Sequence, residues 1–284
     1  DVTVAPGEDK TVAFALTQAV DTTGWVSADF HVHARWSPDS DVPYELRIRQ
    51  AATDDLDLPI ITEHVYIGDA TPQAQALGLD QTVLTFPAQE VTTFAYGHFN
   101  AFPLVLDPAK PNLGAVFPFD KEAPELFQAI RDQNPADEII QVNHPRGAAA
   151  GAYFTYVGLD ALLTPIGITK PELWSTEWDV IEVFNGGCAL TEVYDDWIGL
   201  YGNGYHKTLS SGSDTHDASK PPGSPRNWIL LDRAALEADS QTLVPAARDG
   251  NMFVSCGPFV RFEATDGTPM GGQTSVDTDG KVTF

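Results

Sequence analysis

From Gly24 to Asn251 the chain alternates between two textures. Segments such as "WVSADFHVH", "LDLPIITEH", "EIIQVNHPRG", "WDVIEVFNGG" and "HKTLSSGSDTHD" are short, rich in β-branched and aromatic residues, and run into polar clusters; they read as strands. Between them, "PYELRIRQAATDD", "KEAPELFQAIRDQ", "CALTEVYDDWIGLYGNG" and "SQTLVPAARDG" read as helices, the first opened by Pro43. "QTVLTFPAQEVTT", "GHFNAFPLVL" and "RNWILLD" add strands, and "LDALLT" a short helix. Such alternation predicts parallel strands joined by helical crossovers. A closed α/β barrel takes roughly 250 residues, so the 284 residues here suit one barrel with short additions and no internal repeat.

The additions are β-like. Residues 1–23 contain the alternating "TVAFALT" after a Pro-Gly turn, and residues 252–284 contain "MFVSCGPFVRFEAT" and "KVTF". Because chain termini commonly lie close together, the two segments are expected to pair as one small sheet beside a barrel formed by residues 24–251. Both ends are abrupt, as in a mature or trimmed product. No run approaches the roughly 18 apolar residues of a membrane helix, and no signal peptide opens the chain, so no membrane insertion is expected. A net charge of −24 repels phosphate backbones and argues against nucleic acid as a partner. Cys188 and Cys256 do not make a disulfide framework; they read as buried small hydrophobes, with a single bridge left open.

Polar residues fall on this map in a pattern. His31/His33, Glu63/His64, Glu90, His144, Glu182/Asn185 and Asp214/His216 lie at the C-terminal ends of predicted strands, while His98 lies near a strand start. Of the seven histidines, only His206 stands apart. In a closed α/β barrel those strand ends share one face, where such barrels do chemistry. Residues i and i+2 of a strand point to one side, so His31 and His33 can reach one metal ion. Neutral imidazole suits zinc, iron and manganese, and carboxylates extend the set to harder ions. Each cluster has a plainer reading: "NHPRG" as a turn, "SDTHD" as a helix-capping loop, Glu90 as a solvated carboxylate. Unrelated histidines would scatter over helices and loops, whereas these gather at strand ends beside acids.

His31-Val-His33, Thr62-Glu63-His64, Glu90, His98, Asn143-His144-Pro145, Glu182-Val-Phe-Asn185-Gly186 and Ser213-Asp214-Thr-His216 resemble, in order, the metal motifs of the PHP (polymerase and histidinol phosphatase) superfamily. "NHPRG", "EVFNG" and "GSPRNW" look most like its CehA/McbA branch of metallohydrolases. The resemblance spans about Gly24 to Gly257 and implies an α/β fold, a distorted (β/α)7 barrel of the PHP type, with two or three divalent metal ions (zinc, manganese or iron). It implies a first ion on His31, His33 and Asp214. Glu90 would bridge it to a second ion on His98 and His144, and His64, His216 and Asp39 would form a third position. One departure is Glu63, where the family usually has Asp; its extra methylene puts the third position in doubt.

The chemistry so implied is hydrolysis by a metal-bridged hydroxide, with His216 or His64 as proton donor to the leaving group. Arg146 and Arg226 are candidates to grip phosphate oxygens, against the plainer reading that each pairs with an acid. Asn185 is a candidate to orient substrate or a ligand, and Trp36, Tyr66 and Tyr153 follow ligand clusters where a pocket wall would stand. A phosphoesterase acting on a small-molecule ester is the leading reading. A hydrolase of carboxylic or carbamic aryl esters on the same centre is the second, and a non-catalytic metal- or ligand-binding barrel the third. The branch often carries β segments and is often exported, which with the acidic composition suggests an exported bacterial protein.

Overall fold

The computed structural model describes residues 2–13, 15, 17–147 and 151–283. Its strands, in chain order, are β1 (Trp25–Val32), β2 (Leu58–Ile61), β3 (Glu63–His64), β4 (Gln89–Thr92), β5 (His98–Phe102), β6 (Ile139–Val142), β7 (Leu159–Asp160), β8 (Gly167–Ile168), β9 (Val180–Asn185), β10 (Thr208–Gly212), β11 (Arg226–Leu230) and β12 (Met252–Ser255). The helices are α1 (Tyr44–Thr53), α2 (Thr71–Leu77), α3 (Ala123–Gln133), α4 (Tyr153–Val157), α5 (Glu192–Gly202), α6 (Arg233–Ala238) and α7 (Leu243–Arg248).

Local chemistry accounts for these elements. In β1 every residue is buried, as a strand covered on both faces requires. Val26, Ala28 and Phe30 enter one apolar cluster with β2 and α7, leaving Asp29 and His31 to the opposite side. Helix α3 opens with a reciprocal capping box between Glu122 and Glu125 and buries Leu126, Phe127 and Ile130 against β5 and β6. Helix α5 starts where the Thr191 hydroxyl accepts from Val193 N.

The strands group into two principal sheets. One has the order β12-β11-β1-β2, the other β10-β9-β6-β5-β4-β3, and β7-β8 is a separate small hairpin. The two large sheets meet along two seams. At the first, Asp214 N donates to His31 O (2.8 Å) and His33 N to Thr215 O (3.1 Å). At the second, β2 runs into β3 through Thr62, whose N donates to Val32 O (2.8 Å). The expected parallel pairing holds for β1–β2, β3–β4, β6–β9 and β9–β10 but not throughout. Strand β5 is antiparallel to β4 and β6, and β11 is antiparallel to β1 and β12. The β4–β5 link, residues 93–97, is too short for a crossover helix and must reverse the chain.

Smaller differences from the expected elements follow. Among the described residues no strand precedes Trp25, and β12 pairs with β11, so the terminal segments do not form a shared sheet. Within "TVAFALT", Phe14 and Leu16 lie outside the described residues, and Val12 is exposed. Beyond residue 251, Phe259 packs edge-on against Trp25 and Trp228. "LDALLT" is not helical; Leu162 and Leu163 are exposed, and the helix lies earlier, as α4, ended by left-handed Gly158. Finally, Cys188 and Cys256 are joined as a disulfide rather than buried as free thiols.

Candidate metal centre

The reversal of β5 explains the odd position of His98. Its register sets His98 opposite Thr92, so the start of β5 lies at the same end of the sheet as the close of β4. His98 thereby joins residues that end parallel strands. Around them the chain assembles three groups, each with one ligand atom per residue and all atoms within 4.8 Å: His31, His33 and Asp214; Glu90, His98 and His144; His33, His64 and His216.

Distances inside the groups are short. His31 Nε2 lies 3.1 Å from His33 Nε2, and Asp214 Oδ1 lies 3.2 and 3.3 Å from these two atoms. Buried Glu90 is central, with Oε1 3.3 Å from both His31 Nε2 and His98 Nδ1 and 3.8 Å from His144 Nε2. Its Oε2 lies 2.6 Å from His64 Nδ1. The His33 ring stacks between His64 and His216, at centroid distances of 4.4 and 4.0 Å. Asp39 Oδ2 completes this side, 3.3 Å from the Nε2 atoms of both His64 and His216. Thus all nine residues of the expected ligand set come together.

The hydrogen bonds behind the rings decide their tautomers. Four imidazoles turn Nδ1 to an acceptor: His31 to Glu182 Oε1 (2.9 Å), His144 to Gly151 O (3.1 Å), His216 to Asp214 O (2.9 Å) and His33 to Ser37 Oγ (2.8 Å). The Ser37 hydroxyl donates to Glu63, so it must accept from His33. With the proton on Nδ1, each Nε2 presents a lone pair to the common space, the arrangement ligating histidines adopt. His216 Nε2 is buried and makes no hydrogen bond. A buried acceptor without a donor is costly unless something else fills that role. This mixed nitrogen and carboxylate set fits zinc, manganese or iron.

Electrostatics point the same way. Burial opposes a charge on His31, yet Asp214, Glu182 and Glu90 overcome it and raise its pKa well above the usual range. Burial likewise opposes ionised Glu90, but hydrogen bonding with His144 and the charge and hydrogen bond of His31 hold its carboxyl well below the usual range. Burial lowers His33 to about 4, keeping that ring neutral and able to ligate. The centre demands positive charge, and His33 supplies a neutral imidazole within it.

Supporting residues include several that sequence patterns did not disclose. Asn143 Nδ2 donates to Glu90 Oε1 and to Asn100 Oδ1, both at 2.8 Å, while Gln141 holds Asn143 from below. Asn185 Nδ2 bridges Glu182 and Asp214 at 3.0 Å each. Glu63 does not point among the ligands: it accepts from Ala34 N (3.2 Å), Trp36 N (3.1 Å) and Ser37, tying down the loop after His33. Fully buried Arg47 donates to the carbonyls of His33, Thr215, Asp217 and Lys220, joining the two ligand-bearing segments. Its signal was present, since Tyr44, Arg47, Ile48 and Ala51 form the buried stripe of α1.

Arg146 and Arg226 do not serve as open phosphate grips. Arg146 makes a two-pronged pair with Asp196 (2.7 and 2.6 Å) and also donates to Leu159 O. Arg226 donates to the carbonyls of Gly223, Asp55 and Asp54, in the turn after α1. Each had carboxylates or carbonyls closer at hand than any substrate. Tyr153 is core rather than pocket wall. Beside the centre lies a cavity of about 400 Å³, lined by His144, Glu182, Asn185, Cys188 and Thr191 among others.

No protein-family model matches the sequence, and no curated protein matches it. Solved structures are similar in fold. A two-domain protein from Bacteroides vulgatus containing a predicted PHP-like metal-dependent phosphoesterase superposes with a TM-score of 0.55 at 18% identity, covering 87% of this chain and 69% of its own. A candidate metal-dependent phosphoesterase from Bifidobacterium adolescentis gives 0.42 at 14% identity, covering 69% and 90%. An amidohydrolase from Chromobacterium violaceum gives 0.41 at 16%, covering 75% and 96%. The fold is a mixed α/β fold that has a PHP-like structural neighbour, and it carries three groups that could hold metal ions.

Proposed function

We propose that this chain is a divalent-metal-dependent hydrolase of small-molecule esters, a phosphoesterase first of all, of the CehA/McbA-like branch. The observation that carries the proposal is the set of four histidines whose Nδ1 atoms are committed and whose Nε2 atoms converge on carboxylates. In this reading His31, His33 and Asp214 hold one ion. Glu90, His98 and His144 hold a second, and His64 and His216, with Asp39, hold a third. Bound ions would lower the pKa of water towards neutrality and stabilise the oxyanion that develops.

The chain's own part is positional. Glu182 orients His31, Ser37 orients His33, and Asn185 keeps Asp214 facing inward. Hydrolysis adds the oxygen of one water to the ester centre and breaks the bond to the alcohol, which leaves with a proton. If the third group holds no ion, Nε2 of His216 or His64 would first take the proton released by the attacking water and then pass it to the departing alcohol.

The engagement of Arg146 and Arg226 elsewhere favours a second reading, hydrolysis of aryl carboxylates or carbamates, which need no guanidinium grip. Elemental analysis with a panel of aryl phosphate mono-, di- and triesters beside aryl carboxylates and carbamates decides between the two. Less than one metal ion per chain and no turnover of any member would sink both and leave the non-catalytic barrel. We also propose an oxidising, exported location, supported by the Cys188–Cys256 bond; free thiols in protein isolated under alkylating conditions from its own cells would refute it. No helix among the described residues is long and apolar enough to cross a membrane.

A further inference from the structure

Two loops leave the centre from neighbouring ligands. One runs from His33 through Arg35 and Trp36 to Asp39; the other runs from His64 through Val65 to Tyr66. Trp36 is 49% exposed, yet its ring lies stacked on Tyr66, with centroids 5.0 Å apart and planes 16° apart. The backbone beneath it is held by buried Glu63, which accepts from Ala34 N and Trp36 N. Tyr66 is presented by Val65 at φ 48°, a left-handed conformation that a β-branched residue adopts at a cost. Hydrogen bonds from Val65 N to Glu90 O and from Asn112 Nδ2 to Val65 O, both 2.8 Å, hold it there. A large aromatic pair fixed from both sides yet left facing water is a built surface.

Arg35 adds charge to it. Its guanidinium lies 5.3 Å from the Trp36 ring centre. Among the described residues it has no carboxylate partner, in a chain with forty acidic residues. Asp39, three residues beyond Trp36, lies 3.3 Å from His64 and His216, so the surface flanks the third group of the centre.

We infer that Trp36, Tyr66 and Arg35 form the recognition surface for an aryl phosphate, the ring packing on the aromatic pair and the phosphate drawn by Arg35 towards the centre. This rests on the hydrolase reading above and names its substrate class. An aromatic ring gains stacking that an alkyl chain cannot, and a guanidinium offers paired donors to phosphate oxygens. Arg35 supplies the open guanidinium that Arg146 and Arg226 do not.

The test is equilibrium binding of two non-hydrolysable probes, phenylphosphonate and methylphosphonate, to the metal-loaded protein, measured by calorimetry. Wild type should favour the phenyl probe. Trp36→Ala should weaken phenylphosphonate roughly 3–10-fold with little effect on methylphosphonate, and Trp36→Phe should recover most of the preference. Arg35→Met should weaken both probes and leave the preference intact. Metal content, measured in every variant, should stay at the wild-type value. An unchanged phenyl-to-methyl preference in Trp36→Ala overturns the inference, as does equal binding of the two probes by wild type. Absence of turnover on every ester would instead count against the hydrolase reading, because the binding ratio is read without turnover.

Discussion

Imidazole serves two roles according to which nitrogen carries the proton, and here the protein makes that choice before any ion arrives. His33 shows how. Ser37 and Glu63 fix its proton on Nδ1, and burial lowers its pKa to about 4, so the ring is neutral at neutral pH. His33→Ala and Asp214→Ala should each cut activity by orders of magnitude and lower the metal content found by elemental analysis; full metal with near-normal turnover would remove that residue from the ligand set. Glu63→Gln tests the loop anchor. An amide keeps one acceptor oxygen but turns an NH2 towards the donors at Ala34, Trp36 or Ser37, which should cost about 1–3 kcal/mol. For a chain of this size that is a fall in melting temperature of about 2–10 °C, measured by calorimetry. The ligands were legible because metal chemistry admits few residue types and alternate strand positions share a side. Ser37 and Gln141 were not, because their roles arise only from what folding sets beside them. Glu63 was legible as a departure, and its use as a loop anchor was not.

At the scale of elements, alternating texture identified most strands and helices but not their directions. Direction depends on link length and on pairing between distant segments; residues 93–97 look like any short loop until the β4–β5 register is known. Terminal β patterns misled for a related reason. Alternation in "TVAFALT" is a local property, whereas a strand needs a partner and something to cover. Helix α1 shows the opposite case, where one residue of an element organises distant segments. Arg47 is held down to about 10 by burial, with Asp29 and Glu63 opposing that effect, and it remains a cation at neutral pH. Arg47→Met should orphan the carbonyl of His33, cut the link to Thr215 and destabilise the fold by about 2–4 kcal/mol. Arg47→Lys should recover only part, since one ammonium cannot span four carbonyls. Hydrogen exchange should quicken at residues 33–40 and 214–220 together; quickening in α1 alone would show that Arg47 does not join them.

For the whole molecule, two cross-links act on the same end of the fold. Ions held between the two sheets bind only the folded chain, so stripping them should lower the melting temperature, with about 2.7 kcal/mol at stake when free metal stands at 100 times its Kd. The Cys188–Cys256 bond closes a loop with a sequence separation of 68, for which chain entropy predicts about 4 kcal/mol. Reduction should therefore lower the melting temperature by on the order of 10 °C. It should also loosen the segment that follows Asn185 at the end of β9, an effect visible as faster metal loss to a chelator. Unchanged metal release after reduction would separate the bond from the centre.

The hairpin made by β4 and β5 has a consequence in time. Glu90 and His98 are neighbours along the chain, and His144 follows within the next strand-and-loop unit, whereas His31 and His33 must wait for Asp214. During synthesis, which proceeds from the amino terminus, one donor set is therefore complete when about half of the polypeptide has emerged, and the other only when about three-quarters has. An emerging chain meets its ions in sequence, and the earlier of the two sets is the one that a nascent fragment ending shortly after β6 would already contain.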